Sequence, residues 1–356
     1  MAESSPKISV IVPTYNRPEL LREALGSLAR QTFTDFEAVV VNDAGVPIRA
    51  IVDELRASLP AIVTIDHSEN RGLPAARNTA VNASHGEFLA YLDDDDLFHP
   101  EHLQLLLEAA TITHGIWYSD RYDVWLTEKE GRRSETKREL AVSPEYDPDL
   151  LLFENLTSVP CFFHPRRYFD EVGGFDEHLT ALEDWDLWVR ISRRHQFFHL
   201  NRATCDVRRF VQLDSFLGDH QHGYAWATLN AIHKYFPYVH NRPDVLSRYK
   251  NKLSEALEHL TILVLQSIPD HQPLKVAFGR HSPETVLERL DYLEAAYASD
   301  GAAFAELRGI LHVYRNDFES ALVSLAHAIS LDPSRVRAKD LFEYLQNNVG
   351  RRDKMP

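Results

Sequence analysis

The sequence predicts an α/β fold, in which a mainly parallel, Rossmann-like sheet with helices on both faces precedes an α-helical region. Three observations support this prediction: short apolar runs alternate with amphipathic segments between Ile8 and about Tyr91, polar residues follow the apolar runs, and helical periodicity dominates later in the chain. Strands that are apolar on both faces are typical of parallel sheets covered by helices. We therefore expect a first domain at residues 1–212 and a helical region at 213–356.

Hydrophobic periodicity defines each element of the first part of the chain. The predicted strands are Ile8–Val12, Phe36–Val41, Ala61–Ile65 and Glu87–Leu92. The predicted helices are a first one carrying Leu20, Leu21, Ala24, Leu25 and Leu28, a second over Ile48–Leu55 and a third over Pro74–Asn82. Ligands of such sheets bind beyond the carboxyl ends of the strands. We therefore expect functional residues at positions 14–17, 42–43, 66 and 93–96.

The rest of the chain gives less regular patterns. These predict a strand pair within Gly115–Leu126, a charged hairpin tip or mobile loop over Glu128–Lys137, a strand at Val159–Phe163 and a helix over Leu182–Arg194. One tetratricopeptide-like unit at 302–335 is indicated by Gly309, Phe318, Ala321, Leu325, Ala328 and Pro333. Arrays of this kind need several units, and only one matches, so an ordinary helical hairpin is favoured.

Composition and charge exclude several classes of protein. The chain has 356 residues, 44% of them hydrophobic, which is enough for a sizeable core and excludes a wholly disordered chain. Its formal net charge of −15 repels polyphosphate backbones, so we expect no nucleic-acid partner. No window approaches about 18 continuous apolar residues, and the N-terminus does not resemble a signal peptide. We expect a cytoplasmic protein with two reduced thiols, Cys161 and Cys205, and leave open peripheral contact with the inner face of a membrane.

The strongest local signal is an acidic run directly after the fourth predicted strand. Asp93, Asp94, Asp95 and Asp96 are consecutive, and their mutual repulsion is unfavourable unless a cation or solvent relieves it. Hard divalent cations such as Mg²⁺ bind carboxylates together with substrate phosphates. The alternative is a solvated loop or a helix N-cap. The position at the carboxyl end of a strand favours a metal site.

A second signal lies at the start of the third predicted helix. Gly72 permits a tight turn, and Pro74 suits the first helical turn, whose free N–H groups favour an anion. Arg77 lies about one turn further along. The alternative is an ordinary surface arginine beside a strand–helix loop.

A third signal combines paired glycines with an acidic helix start. Gly173 and Gly174 mark a turn, and Glu183 and Asp184 stand where the next helix begins. Helix capping alone would explain these acidic residues, since the helix dipole favours them in a first turn. Trp185 and Trp188 follow. The sequence leaves two interpretations of the tryptophans open: an apolar wall that raises a carboxyl pKa, or a platform for a sugar ring.

Taken together, these motifs resemble the inverting family 2 glycosyltransferases of the GT-A fold. The motifs are, in order, Pro13-Thr14-Tyr15-Asn16-Arg17, Val41-Asn42-Asp43, Arg71-Gly72 with Ala76-Arg77-Asn78, Leu92 with Asp93–Asp96, and Gly173–Glu177 with Glu183–Trp188. The resemblance covers residues 7–210 and says little about the chain after residue 212. It implies a metal-dependent, inverting transfer of a hexosyl group from a nucleotide-diphospho-sugar to an acceptor hydroxyl, in surface polysaccharide or glycan synthesis.

The resemblance also implies roles for single residues. Donor-binding residues would be Pro13, Thr14, Tyr15, Arg17, Asp43, Asp66, Gly72, Arg77, Asp93 and Asp94. Asp43 would accept a hydrogen bond from the pyrimidine, and Arg77 would approach the base or the diphosphate. Asp95, with Asp93, would bind Mn²⁺ or Mg²⁺, although the run of four aspartates departs from the DxD pattern and leaves the assignment of each carboxylate open. Asp184 would be the general base beside Glu183, and the remaining candidates are Trp185, Arg208, His220 and His222.

The implied partners are a nucleotide-diphospho-sugar, with a UDP-sugar as the first choice, and a saccharide, lipid-linked or protein acceptor; a homo-oligomer through the C-terminal helices is left open. Three alternatives were compared with this interpretation. A nucleotidyltransferase would carry a Gly-rich basic loop after the first strand, and a dinucleotide-binding dehydrogenase would carry G-x-G-x-x-G there; both are absent. A non-catalytic sugar-nucleotide-binding or interaction protein stays open, although intact Asp93, Asp95 and Asp184 favour an enzyme.

Overall fold

The structure is a computed structural model that describes residues 5–210 apart from 130, 131 and 180, residues 301–348 apart from 316, and isolated positions between 234 and 294. The chain divides into two compact units, Met1–Asp214 and Ser215–Pro356. In these described parts, none of the helices has the length and apolar character that a bilayer crossing requires.

The described part of the first unit is built on a mixed sheet of nine strands. They are β1 (Ile8–Thr14), β2 (Phe36–Asn42), β3 (Ile62–Asp66), β4 (Phe88–Tyr91), β5 (Leu97–Phe98), β6 (Ile116–Lys129), β7 (Arg132–Ala141), β8 (Phe162–Pro165) and β9 (Phe197–Phe210). Their spatial order is β3-β2-β1-β4-β8-β6-β9-β5, and β7 pairs with β6. Neighbours within β3-β2-β1-β4 are parallel, as are β6 and β9, whereas β8 is antiparallel to β4 and β6. The predicted α/β class is confirmed.

Helices cover both faces of this sheet. They are α1 (Pro18–Leu28), α2 (Arg49–Leu55), α3 (Leu73–Asn82), α4 (His102–Ile112), α5 (Arg166–Val172) and α6 (Glu183–Ser192). Helices α1, α2 and α4 share one core cluster with Ala90 of β4 and with Leu92, which directly follows that strand. Because strand residues alternate between faces, Tyr91 points to the opposite side. There Trp188 of α6 meets Tyr91 edge-on, with ring centroids 5.8 Å apart.

The strands and helices from β1 to β4 have nearly the predicted bounds, but the predicted strand pair within Gly115–Leu126 is wrong. That stretch belongs to the single strand β6, whose partner β7 takes up most of the predicted loop Glu128–Lys137. Tyr122 pairs with Leu140, for example. The physical reason is that β7 is exposed along almost its whole length, so charged residues occupy both of its faces and conceal the period of two.

Two further strands differ from the sequence analysis. The predicted strand at Val159–Phe163 begins as a 3₁₀ turn, Val159–Cys161, and β8 starts only at Phe162. Pro160 explains the delay, because proline has no N–H to donate to a ladder. Strand β9 was not predicted, and it matters for the site because it ends beside the loop that follows β4.

The described part of the second unit includes α7 (Gly301–Tyr314), α8 (Phe318–Leu331) and α9 (Val336–Asn348). They share a buried cluster that contains Ala305, Leu325 and Leu345. A Cβ atom on Gly309 would lie 2.7 Å from Leu325 Cγ, so only glycine allows α7 and α8 to approach this closely. The same contact suits a tetratricopeptide-like unit and an ordinary helical hairpin, and the repeat unit stays a prediction.

Candidate active site

The four aspartates Asp93–Asp96, called the acidic turn below, follow β4 at its carboxyl end. Asp94 is only 5% exposed, and Thr14 Oγ1 donates a hydrogen bond of 2.7 Å to its Oδ2. Arg17 Nη1 lies 3.3 Å from Asp94 Oδ1 and donates to Asp95 Oδ2 at 2.8 Å. These contacts arise because β1 and β4 are parallel neighbours, so the residues that follow both strands meet at one edge of the sheet.

Asp96 fastens the acidic turn to β9. Its Oδ1 accepts a hydrogen bond of 2.9 Å from the Arg208 backbone N–H. The Arg208 side chain donates to the Asp95 carbonyl and also pairs with Glu23 of α1. Arg208, a candidate from the sequence, therefore lies against the acidic turn, whereas His220 and His222 lie outside the described residues.

Burial makes negative charge unfavourable in the acidic turn. Burial, followed by repulsion from Asp95, raises the pKa of Asp94 to about 7, although Thr14 and Arg17 act in the opposite direction. Burial also raises the pKa values of Asp95 and Asp96. A cation near these carboxylates would favour their ionised forms.

Arg77 connects the acidic turn to the first turn of α6. It is 1% exposed, and its Nη2 donates to Asp93 Oδ1 at 2.6 Å while its Nη1 donates to Glu183 Oε1 at 2.5 Å. Burial on its own lowers the pKa of Arg77, but attraction to Asp93 and Glu183 raises the pKa above its ordinary value. The resemblance implied that Arg77 approaches the base or diphosphate, and that role stays a prediction. In the structure the side chain is buried, and both of its terminal amino groups neutralise carboxylates.

The first turn of α6 carries the second group of carboxylates. Leu182 precedes it in the left-handed region, at φ 61°, and the helix begins at Glu183. Asp184 Oδ2 accepts a hydrogen bond of 2.8 Å from Asn155 Nδ2. Burial, followed by repulsion from Glu183, raises the pKa of Asp184 to about 7, and Arg77 opposes this shift. A carboxyl group with such a pKa exchanges a proton at neutral pH, which suits a general base.

Neither tryptophan of α6 offers an open ring face. Trp185 is 3% exposed and its Nε1 donates to the Leu151 carbonyl at 2.6 Å, while Trp188 is fully buried. The sugar-platform interpretation of Trp185 is therefore wrong, because the ring is enclosed by protein. The apolar-wall interpretation agrees with the burial that raises the pKa of Asp184.

Asp43 organises the loop that leads into α3. Its Oδ1 accepts from the Arg71 N–H at 2.9 Å and lies 2.6 Å from His67 Nδ1, and its Oδ2 accepts from the Gly72 N–H at 2.8 Å. Gly72 has φ 90°, a conformation that glycine adopts without strain. His67 Nε2 lies 3.0 Å from Thr79 Oγ1 of α3. His67 was not among the residues predicted from the sequence, although its position directly after β3 could have indicated a functional role.

The other predicted donor-binding residues lie around the same edge of the sheet. Pro13 is buried in β1, whereas Tyr15 is 47% exposed. Asp66 ends β3, is exposed, and accepts a hydrogen bond of 2.9 Å from Asn42 Nδ2. Asn155, which holds Asp184, was also missed, because an isolated asparagine in a loop has no sequence pattern that identifies it.

The donor chemistry of the acidic turn fits a hard divalent cation. Within residues that the structure describes, no group of three or more His, Cys, Asp or Glu side chains is arranged to hold a metal ion. However, Mg²⁺ usually takes one or two protein carboxylates and completes its shell with substrate phosphates and water. The Asp95 and Asp93 side chains are 26% and 25% exposed, so they can supply such a partial set.

Comparison with known proteins finds similar sequences. Residues 9–173 match the family Glycosyl transferase family 2. The uncharacterized glycosyltransferase YwdF of Bacillus subtilis is 36% identical over 223 residues, which are 60% of this chain and 77% of that protein. The putative colanic acid biosynthesis glycosyl transferase WcaA of Escherichia coli is 27% identical over 218 residues, 58% of this chain and 76% of that protein.

Two solved structures have a similar fold. Staphylococcus aureus TarS 1-349 in complex with UDP-GlcNAc gives a TM-score of 0.51 at 18% identity, with 92% of each chain covered. The mannosyltransferase PcManGT from Pyrobaculum calidifontis, in complex with GDP-Man and Mn²⁺, gives 0.52 at 17% identity, with 93% of this chain and 89% of that chain covered. At these identities the likeness concerns the fold alone.

Proposed function

Because this chain belongs to glycosyl transferase family 2, we propose that it transfers a sugar from a nucleotide-diphospho-sugar to an acceptor hydroxyl, with inversion at the anomeric carbon. One observation carries the proposal: the Arg77 guanidinium binds Asp93 of the acidic turn and Glu183 beside Asp184. A direct displacement needs one group that stabilises the leaving diphosphate and another that deprotonates the attacking hydroxyl. The Arg77 bridge connects the acidic turn, which holds the candidate for the first role, to the helix turn that holds the candidate for the second.

On the leaving-group side, the acidic turn supplies oxygen ligands. A divalent cation held by Asp95, with Asp93, would act as a Lewis acid toward the diphosphate. Thr14 fixes the buried Asp94 carboxyl and so keeps the turn in place. Asp43 holds the Arg71 and Gly72 N–H groups and so fixes the loop that leads into α3.

On the attacking side, we assign the general base to Asp184 rather than Glu183. Glu183 is bound to the Arg77 cation, which holds its carboxylate in place, whereas Asp184 has the raised pKa of a proton acceptor. In the transfer step the acceptor oxygen forms a bond to the anomeric carbon and its proton passes to Asp184. The bond between the anomeric carbon and the diphosphate oxygen breaks, and the diphosphate leaves with the electron pair.

We further propose a UDP-sugar as donor and a saccharide, lipid-linked or protein acceptor, in surface polysaccharide or glycan synthesis. TarS was solved with UDP-GlcNAc, and the name of the Escherichia coli relative refers to colanic acid biosynthesis; both support this proposal. The setting would be the cytoplasm or the inner face of its membrane. Helices α7–α9 would supply any contact between copies of the chain.

A donor panel tests the function. UDP-, GDP- and dTDP-sugars are incubated with the protein and Mn²⁺, and release of free nucleotide diphosphate is measured. We expect release from at least one donor, dependent on Asp184, together with thermal stabilisation by that donor, since a ligand at 100 times its Kd adds about 2.7 kcal/mol. Stabilisation without any release would instead indicate a non-catalytic sugar-nucleotide-binding protein.

A further inference from the structure

Arg17 already places a positive charge at the acidic turn. Its Nη1 lies 2.8 Å from Asp95 Oδ2 and 3.3 Å from Asp94 Oδ1. The guanidinium of arginine stays protonated in proteins, so the Arg17 side chain is charged. Its side chain is also 43% exposed, which means that it can move away without opening the core.

The two aspartates that Arg17 contacts differ in accessibility. The Asp94 side chain is 6% exposed and is also held by Thr14, whereas the Asp95 side chain is 26% exposed. Asp95 Oδ2, the oxygen bonded to Arg17, is thus on the accessible carboxylate of the pair. A guanidinium and a divalent cation that share this carboxylate repel each other, so occupation by one weakens binding of the other.

We propose that Arg17 is an internal counter-cation that competes with the divalent cation for Asp95 and, once displaced, binds the diphosphate of the nucleotide. This inference rests on the proposed function, because that function supplies the cation and the nucleotide. The consequence is coupled binding. The cation alone binds weakly because it must displace Arg17, and the diphosphate strengthens cation binding because it gives the displaced guanidinium a new partner. By linkage, the cation strengthens nucleotide binding by the same factor.

A purely structural role for Arg17 predicts the opposite effect on cation binding. If the ion pairs only fasten the loop after β1 to the acidic turn, removal of Arg17 disorders the turn and weakens the binding of both the cation and the nucleotide. Competition instead predicts effects of opposite sign on the two ligands, which a loss of structure does not produce.

The first arm measures Mn²⁺ binding without nucleotide, by calorimetry at low ionic strength. We expect Arg17→Ala and Arg17→Gln to bind Mn²⁺ about fivefold more tightly than the unaltered chain, in line with partly exposed ion pairs. Arg17→Lys keeps the charge and should change the affinity by less than about twofold. Arg22→Ala is the matched control, because it removes the same charge from α1, where Arg22 lies 3.6 Å from both Glu19 and Glu54.

The second arm measures UDP binding at saturating Mn²⁺. Arg17→Ala and Arg17→Gln should bind UDP about tenfold more weakly, as expected for a lost charge-assisted contact, and Arg22→Ala should not change it. The proposal is overturned if folded Arg17→Ala and Arg17→Gln bind Mn²⁺ no more tightly than the unaltered chain, or if Arg22→Ala tightens Mn²⁺ equally. Sugar transfer that persists in that case leaves the proposed function intact. Coupled binding with no transfer from any donor would overturn the function alone.

Discussion

The acidic turn and the first turn of α6 both place consecutive carboxylates side by side, but their partners differ. In the acidic turn, the guanidinium groups of Arg77 and Arg17 donate to Asp93 and Asp95, and the backbone N–H of Arg208 donates to Asp96. At the start of α6, Glu183 has the cation Arg77 as its partner, whereas Asp184 is held by the neutral amide of Asn155. A cationic partner stabilises the ionised carboxylate strongly, and a neutral amide does so only moderately. The comparison therefore separates carboxylates that a guanidinium contacts directly from Asp184, which a neutral amide holds.

Replacement of Asp184 should have the largest effect. Asp184→Asn removes the proton acceptor and should lower the rate of sugar transfer by about 10²–10⁴-fold, the usual contribution of a positioned base. UDP binding with Mn²⁺ should not change, because the acidic turn is intact. The rate is measured with the donor found in the panel, and Glu177→Gln, an exposed carboxyl, serves as control. Full turnover by Asp184→Asn would remove the assignment of the base.

Removal of Arg77 should break the connection between the two regions. Arg77→Met leaves Asp93 and the buried Glu183 without their cation and should lower the free energy of unfolding by about 3–5 kcal/mol. Arg71→Met is the matched control, since the side chains of Arg71 and its partner Glu177 are 45% and 41% exposed and such pairs contribute about 0–1 kcal/mol. Denaturant titration compares the variants. Equal losses would show that the Arg77 bridge is no stronger than a surface pair.

Asp95 tests the leaving-group side by itself. Asp95→Asn keeps the shape of the side chain but loses its charge. We expect UDP binding in Mn²⁺ to weaken by about a hundredfold, because loss of a metal ligand should weaken binding at least as much as loss of a residue that only orients such a ligand. Calorimetry with and without Mn²⁺ makes the measurement. Without Mn²⁺ the variant should bind UDP no more weakly than the unaltered chain, and an unchanged affinity in Mn²⁺ would refute the metal role.

The pH dependence of sugar transfer tests the role of Asp184 in the unaltered chain. An ordinary aspartate stays ionised down to about pH 4, but Asp184, with a pKa raised to about 7, loses its ionised form as the pH falls through neutrality. Transfer at pH 6 should therefore be about tenfold slower than at pH 8. Asn155→Ala removes the amide that favours the ionised form and should shift this limb upward by about half a pH unit. A limb near pH 4 would contradict the assignment.

The first half of the sheet could be predicted from sequence because β1, β2 and β4 are buried on both faces and consist mostly of apolar residues. Strand β7 could not, since it is exposed and its polar residues follow no period. Its position depends on pairing with β6, which is a property of the folded sheet rather than of the segment.

The residues of the site also differ in how far the sequence predicts their positions. The positions of Asp43 and the acidic turn follow from the ends of β2 and β4, which are local features. The partner of Arg77 does not, because Arg77 and Glu183 are 106 residues apart in the chain. One local signal was nevertheless present: Arg77 lies among small residues of α3, next to Ala76 and one turn before Ala80, which indicates a buried face.

The backbone at Leu182 has a consequence for tolerance to substitution. A side chain at φ 61° is strained, and the strain is greatest for β-branched residues. Leu182→Gly should therefore be accepted, whereas Leu182→Val or Leu182→Ile would favour an extended backbone and delay the start of α6. Glu183 and Asp184 would then no longer share the first turn of α6. An exchange of one apolar residue for another, at a position with no chemical role, would thus separate Asp184 from the Arg77 guanidinium that holds its neighbour Glu183.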